Sequence, residues 1–383
     1  MSRFFYMPPC VVTGPGALEL AGQQLIRGKK ALIVTGKIVE KQPGMQALKG
    51  FLEGHGVAFA VFSDTLGEPT DGMARAAAQA FTREGCDYLI AMGGGSPMDL
   101  MKAAAVLLRY PGTPLRRFLG QVIEGPFVPM VAIPTTAGTG SEATMFTVIT
   151  DEETQVKMLL KGPDLIPDVA VVDPSFTDTA PPAVTAATGL DALCHAIEAY
   201  TSRLAQPLTD PLALSATRRI LTYLPRAYRD GGDEEARHQM ALAALEAGVC
   251  ITNSSVTLIH GLSRPIGALF HVSHGLSNAM LLPACLKFAL DGALSRFADL
   301  ARVAGVSQSA DDKEAAGDLL TAVEALCRVC EIPTPAKYGL DKATFYFAMD
   351  KMADDALASG SPGNTQKPVT RADCLAIYQS LWD

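Results

Sequence analysis

A chain of 383 residues with 48% hydrophobic and 19% charged residues can bury two cores, and its net charge of −8 with no long basic run excludes a nucleic-acid or anionic-membrane surface. Apolar runs stop well short of the ~20 residues of a spanning helix, and Met1–Pro9 has no long apolar stretch of the signal-peptide kind. Eight cysteines are scattered without a framework, which suits a reducing compartment, so the expectation is a cytoplasmic globular protein.

Short β-branched runs alternate with Ala/Leu-rich amphipathic stretches up to about Asp173. The predicted strands are Ala31–Thr35, Val57–Phe62, Asp87–Met92, Pro129–Ile133 and Val169–Val172, with helices over Asp71–Glu84 and Met98–Arg109. Such alternation predicts a parallel sheet covered on both faces. Met145–Thr150 and Val156–Leu160, joined by 151–155, read as a hairpin appended to that sheet. Beyond Pro174 the pattern is helical, with helices predicted at 183–202, 208–225, 234–252, 275–290, 293–304, 313–331 and 371–381. The expected fold is an α/β (Rossmann-like) domain, 1–178, followed by an all-helical domain, 179–383.

Six histidines are present, and His55 and His238 lie in polar surface-like surroundings. His195 follows Asp191 by four residues, so on a helix a carboxylate and an imidazole leave the same face one turn apart, as an ordinary hydrogen bond or as metal ligands. His260 and His274 would be ~21 Å apart on one straight helix. Pro265 and Gly267 interrupt the segment, and a helix–turn–helix there would bring both rings to one point. Asp with three His is a donor set for Fe²⁺, Zn²⁺, Co²⁺ or Ni²⁺.

Two polar loops follow strands. Gly93-Gly94-Gly95-Ser96-Pro97-Met98-Asp99 opens a helix, where backbone N–H groups can face an anion, although a plain strand-to-helix turn reads the same way. It is neither G-x-G-x-x-G nor a Walker A loop. Pro134-Thr135-Thr136-Ala137-Gly138-Thr139-Gly140-Ser141-Glu142 offers four hydroxyls to ribose or phosphate. Two such loops at strand C-termini fit the crevice in which open α/β sheets bind nucleotides.

These motifs, with Ala187-Thr-Gly-Leu-Asp191-Ala-Leu-Cys-His195 and His260…His274-Gly275-x-x-Asn278-Ala279…Leu282-Pro283, resemble the iron-containing (group III) alcohol dehydrogenase family from Gly14 to Pro283. The resemblance implies a nucleotide domain, a helical metal domain and a cleft between them. It implies Asp191, His195, His260 and His274 as catalytic metal ligands for Fe²⁺, with Zn²⁺ as an alternative. It also places Gly94, Gly95, Ser96, Asp99, Thr135, Thr136, Thr139 and Lys157 at nucleotide contacts. Gly36 stands where the family usually has an acid that binds the adenosine ribose, so NAD and NADP are both admitted. Glu68 stands where asparagine is frequent, at a nucleotide contact or on the surface. Arg264 replaces a further histidine four residues past the third ligand, and Arg264 and His271 are candidate substrate contacts.

The resulting expectation is a metal-dependent NAD(P)-linked alcohol dehydrogenase acting on a primary alcohol and its aldehyde, as a homodimer or higher homo-oligomer, without nucleic-acid or membrane partners. A lyase or cyclase of the dehydroquinate-synthase type would need several basic residues for a phosphorylated sugar acid, and around 188–200 and 255–280 essentially only Arg264 is available. A non-catalytic nucleotide-binding regulator would have no use for the ligand set. Cys327-Arg-Val-Cys330 is a lone CxxC in a helical stretch and predicts no zinc site.

Overall fold

The computed structural model describes residues 2–65, 67–154 and 156–382. Met1, at the start of the N-terminal segment read above, and Gln155, in the predicted hairpin connection, lie outside the described residues. The chain forms two compact units, Tyr6–Ala180, and Pro181–Asp383 together with Met1–Phe5. The division falls at 180/181 where the sequence reading put 178/179. The N-terminal residues join the helical unit because Arg3 donates to the Leu204 and Ala205 carbonyls and Gln206 Nε2 donates to Phe4 O.

The first unit holds strands β1 (Cys10–Thr13), β2 (Lys30–Val34), β3 (Ala58–Phe62), β4 (Tyr88–Gly93), β5 (Met130–Pro134), β6 (Phe146–Thr150), β7 (Lys157–Lys161) and β8 (Val169–Val172). Its helices are α1 (Ala17–Ala21), α2 (Pro43–Gly54), α3 (Asp71–Glu84) and α4 (Gly95–Arg109). Six strands form one parallel sheet in the order β1-β8-β5-β4-β2-β3. Side chains alternate between two cores: Leu32, Val34, Leu89 and Ala91 enter one, while Ala31, Ile33, Tyr88 and Ile90 enter the other. Burial on both faces explains why these strands read as continuous apolar runs. Chain order reverses between β2 and β4, so the carboxyl ends of those strands form a topological switch point.

The predicted hairpin is there, but β6 and β7 form a separate two-stranded antiparallel sheet and do not extend the main one. Along both strands buried residues alternate with half-buried ones, ending on exposed Lys161, as a strand pair with one covered face requires.

The second unit contains α5 (Pro182–Thr201), α6 (Asp210–Arg229), α7 (Glu234–Asn253), α8 (Leu258–Phe270), α9 (His274–Ala289), α10 (Leu294–Ala304), α11 (Asp312–Val329), α12 (Pro335–Tyr338), α13 (Lys342–Ala358) and α14 (Arg371–Ser380). Most of α5 is buried, and an added Cβ at Gly189 would lie 2.5 Å from Leu224 Cδ1, so α5 and α6 pack closely there. Among the described residues no single helix is long and apolar enough to cross a membrane. The α7–α8 pair that passes by composition is bent by 102°.

The helix–turn–helix across 260–274 exists, but Pro265 and Gly267 do not make the turn. Helix α8 runs through both and ends at His271, a left-handed residue with φ 55°. An interior proline forfeits one backbone bond. Here buried Leu258, Ile259, Leu262 and Ile266 keep the helix packed on both sides of it. Similarly, α6 continues through Pro225 to Arg229, past the predicted end at 225.

Candidate metal and nucleotide sites

Three helices of the second unit bring four side chains together. Asp191 and His195 come from successive turns of α5, His260 from the first turn of α8 and His274 from the first residue of α9. The turn at 271–273 folds α9 back. Gly275 permits the final approach, since a Cβ there would lie 2.6 Å from the Ala187 carbonyl of α5. One ligand atom from each of Asp191, His195, His260 and His274 lies within 4.8 Å of all the others.

From Asp191 Oδ1 the Nε2 atoms lie 3.8 Å away on His195, 3.6 Å on His260 and 3.8 Å on His274. Donors each ~2.1 Å from a common tetrahedral ion are separated by roughly 3.4 Å, so the spacing fits a small divalent cation. The set has one anionic oxygen and three imidazole nitrogens, a composition that suits iron or zinc. His274 has 36% of its side chain exposed and the other three are buried, so the cluster opens on the His274 side.

A second layer fixes these groups. His260 Nδ1 donates to Glu198 Oε2 at 2.5 Å, which leaves the Nε2 lone pair facing the cluster. Glu198 Oε1 accepts from Thr257 Oγ1 and the Ile259 N–H. Asn278 Nδ2 lies 2.6 Å from Asp191 Oδ1, 3.1 Å from His260 Nε2 and 3.3 Å from His274 Nε2. Its buried Oδ1 accepts no hydrogen bond among the described residues, so a polar atom beside the ligand set awaits a partner.

The electrostatics match a cation site. Burial alone would raise Asp191, yet the imidazoles of His195, His274 and His260 hold it well below the ordinary carboxylate range. Burial would lower His260, but Glu198 and Asp191 push it up to about 9, so a metal competes with a proton for Nε2 and its binding releases that proton. Glu198 and Asn278 escaped the sequence reading. The signal was spacing: Glu198 is seven residues after Asp191, on the same helical face, and Asn278 is one turn after His274.

Glu198→Gln tests this layer. An amide nitrogen would meet the donors that now share Glu198, and His260 would lose its anionic acceptor. Metal affinity is expected to fall about 10- to 100-fold in a chelator competition. Unchanged affinity would mean that Glu198 does not orient the ligand.

In the first unit, Gly36, Gly94–Ser96 and Thr135–Thr139 all follow the carboxyl ends of neighbouring strands β2, β4 and β5. The two polar loops touch: a Cβ at Gly95 would lie 3.0 Å from Thr139 Cγ2, and one at Gly94 would lie 3.4 Å from Thr136 Oγ1. Thr135 is buried and its N–H donates to Gly93 O. Asp99 does not reach outward, because its carboxylate accepts from Ser141 Oγ and from the Val148 N–H. Lys157 pairs with Glu68 at 3.2 Å, so these two candidate contacts meet each other.

Lys102, one turn after Asp99, is wholly buried. Its Nζ lies 2.7–3.1 Å from Ser141 O, Ser141 Oγ, Thr144 O, Thr144 Oγ1 and Phe146 O. An ammonium has three donors, so five oxygens saturate it. It therefore braces the hydroxyl loop from behind and is not a phosphate-binding lysine.

His271 is exposed at the helix end, and its place in the structure is that of the α8 terminator. Arg264 donates to Ser361 Oγ. All eight cysteines are free thiols, the Cys327/Cys330 pair included.

Residues 8–174 match the family described as iron-containing alcohol dehydrogenase, and residues 185–382 match the C-terminal part of the Fe-containing alcohol dehydrogenase family. A NADPH-dependent butanol dehydrogenase of Clostridium saccharobutylicum is 34% identical, covering 99% of this chain and 97% of its own. A NAD-dependent methanol dehydrogenase of Bacillus methanolicus is 36% identical, covering 94% and 95%. The crystal structure of a 1,3-propanediol oxidoreductase superposes with a TM-score of 0.95 at 32% identity, with 100% of both chains covered. The chain thus belongs to the iron-containing alcohol dehydrogenases, metal-dependent NAD(P)-linked oxidoreductases that interconvert alcohols and aldehydes.

Proposed function

We propose that Asp191, His195, His260 and His274 hold one catalytic divalent metal, Fe²⁺ or Zn²⁺, and that the loops after β2, β4 and β5 hold NAD or NADP for oxidation of short primary alcohols. The carrying observation is the convergence of four ligand atoms within 4.8 Å, on three helices of the unit that matches the family's C-terminal part. The metal supplies a Lewis-acid centre and the nicotinamide a hydride acceptor. The chain's own residues supply the rest. Asp191 gives the metal site its anionic donor. Glu198 and Asn278 fix His260 and Asp191, and the exposed side of His274 is the approach for an alcohol. Gly94 and Gly95 let the nucleotide come close to the backbone, while Thr135, Thr136 and Thr139 offer hydroxyls to it. Neither a lyase nor a non-catalytic regulator is favoured, since the similar proteins are alcohol dehydrogenases.

The names of the relatives point to small alcohols, and ethanol, 1-propanol, 1-butanol and 1,3-propanediol are the first substrates to assay with either dinucleotide and with metal analysis. Nucleotide reduction that needs about one metal per chain is expected. Full activity in metal-free protein would overturn the reading. The free thiols support a reducing compartment such as the cytoplasm, and the family resemblance supports a homodimer or higher homo-oligomer, which sedimentation would measure.

Gly36 bears on cofactor choice. Its backbone is not left-handed, and an added Cβ would meet only Thr65 O at 3.6 Å, so Gly36→Asp fits sterically. The neighbouring Lys37 pairs with Asp64 at 3.2 Å, which partly cancels that carboxylate. The wild type is expected to use both dinucleotides within about tenfold. Gly36→Asp should favour NAD by binding ribose hydroxyls and repelling the 2′-phosphate. Rejection of NADP by several orders of magnitude in the wild type would assign the choice to another group.

A further inference from the structure

Helix α8 carries a cation that the metal site does not use. Arg264 follows His260 by four residues on an uninterrupted helix, so the two side chains leave the same face with roughly 6 Å of rise between them. Arg264 Nη1 donates to Ser361 Oγ at 2.9 Å. No carboxylate is paired with the guanidinium among the described residues. The acid that acts on it electrostatically, Glu198, has both oxygens engaged by Thr257, Ile259 and His260. A guanidinium has five N–H donors and stays charged, and here a single hydrogen bond to the protein holds it.

The anchor is built in. Ser361 is buried, and the segment that carries it packs on α8 where the helix has no side chain: a Cβ at Gly261 would lie 2.6 Å from Pro362 Cγ. Ser361 therefore holds one arm of the fork and leaves the other donors for a ligand.

We propose that Arg264 is a specificity-determining residue that receives an anionic oxyacid group, carboxylate or sulfonate, at the end of the substrate remote from its hydroxyl. The inference rests on the dehydrogenase reading above. A planar fork matches two oxygens of such a group, which a neutral alkyl chain cannot offer. The short rise from His260 to Arg264 selects a short spacer between hydroxyl and charge. A hydrogen bond to a charged group contributes about 1.5–3 kcal/mol, or roughly 10- to 150-fold in binding.

The test compares kcat/KM for matched pairs in the metal-loaded enzyme: 4-hydroxybutyrate with 1-butanol, and isethionate with ethanol. The wild type is expected to favour the anionic member of at least one pair by about tenfold or more, mainly through KM. The pair that shows it distinguishes carboxylate from sulfonate. Arg264→Gln should bring that ratio close to one, and Arg264→Lys, which keeps the charge without the fork, should leave it in between. Equal loss on both members of a pair in Arg264→Gln would make the arginine a brace for the Ser361 segment and overturn the proposal. If Arg264→Gln does not fold, the wild-type ratios and Arg264→Lys decide, and a wild type that favours neither anion overturns it. Turnover of 1-butanol with no advantage for 4-hydroxybutyrate or isethionate defeats this inference alone. Absence of turnover on all four alcohols defeats the dehydrogenase reading with it.

Discussion

Asp191→Ala is expected to lose metal and turnover together. Asp191 is the one anionic donor of the set, and it is 1% exposed, so no water-filled space stands ready to replace it. Three neutral imidazoles would be left to offset a divalent charge in a buried site, where uncompensated charge is costly. Asn278 Nδ2 would also lose its 2.6 Å acceptor, which frees the amide that spans His260 and His274. Metal content should fall from one per chain to near zero. A drop in kcat/KM on the order of 10³-fold or more should follow, the size expected when several kcal/mol of Lewis-acid stabilisation is removed. Asp191→Asn keeps the shape and separates loss of charge from loss of packing. Stoichiometric metal in Asp191→Ala would remove Asp191 from the ligand set.

The central strands were legible because both faces are buried, which forces unbroken apolar runs such as Leu32-Ile33-Val34 and Leu89-Ile90-Ala91. Edge strand β1 was not, since its four residues leave too little pattern after Pro8-Pro9. Helix α13 was missed although Phe345, Met349, Met352, Ala353 and Ala356 share one face. Charges at Asp350, Lys351, Asp354 and Asp355 break up the run when it is read linearly. Pro265 reads as an interruption in the sequence, and the helix predicted to end at 225 runs on through Pro225, because the packing that holds a helix through a proline is long-range. For the same reason the sequence displays Asp191 and His195 as a local pair, while the Glu198–His260 contact spans 62 residues and appears only once α5 and α8 are packed. Lys102 lies three residues past the glycine-rich Gly93–Asp99 loop, and only the structure shows that its charge points inward, at carbonyls of the next loop.

Lys102→Met is accordingly expected to be among the most destabilising single changes in the first unit. Burial lowers the Lys102 pKa to about 8, with Asp99 and Glu142 opposing, so the ammonium is the form present at pH 7. Methionine fills similar space without a donor, and the carbonyls of Ser141, Thr144 and Phe146 would lose their shared partner. Asp99 and Glu142 would lose the cation that lowers their pKa values, while burial already raises both, Glu142 to about 7. Removing one partner from a buried charged network costs about 3–5 kcal/mol, a large share of the ~5–15 kcal/mol that keeps a domain folded. Urea denaturation should show an unfolding free energy lower by that amount, read as a fall in midpoint at unchanged slope, and dinucleotide affinity should fall because Thr135–Ser141 is no longer braced. Metal content of the purified variant should stay near one per chain, since every ligand lies in the helical unit. Wild-type stability in Lys102→Met would show that the cage contributes no net folding energy. Loss of metal alongside loss of dinucleotide would show that the two units do not keep their sites independently.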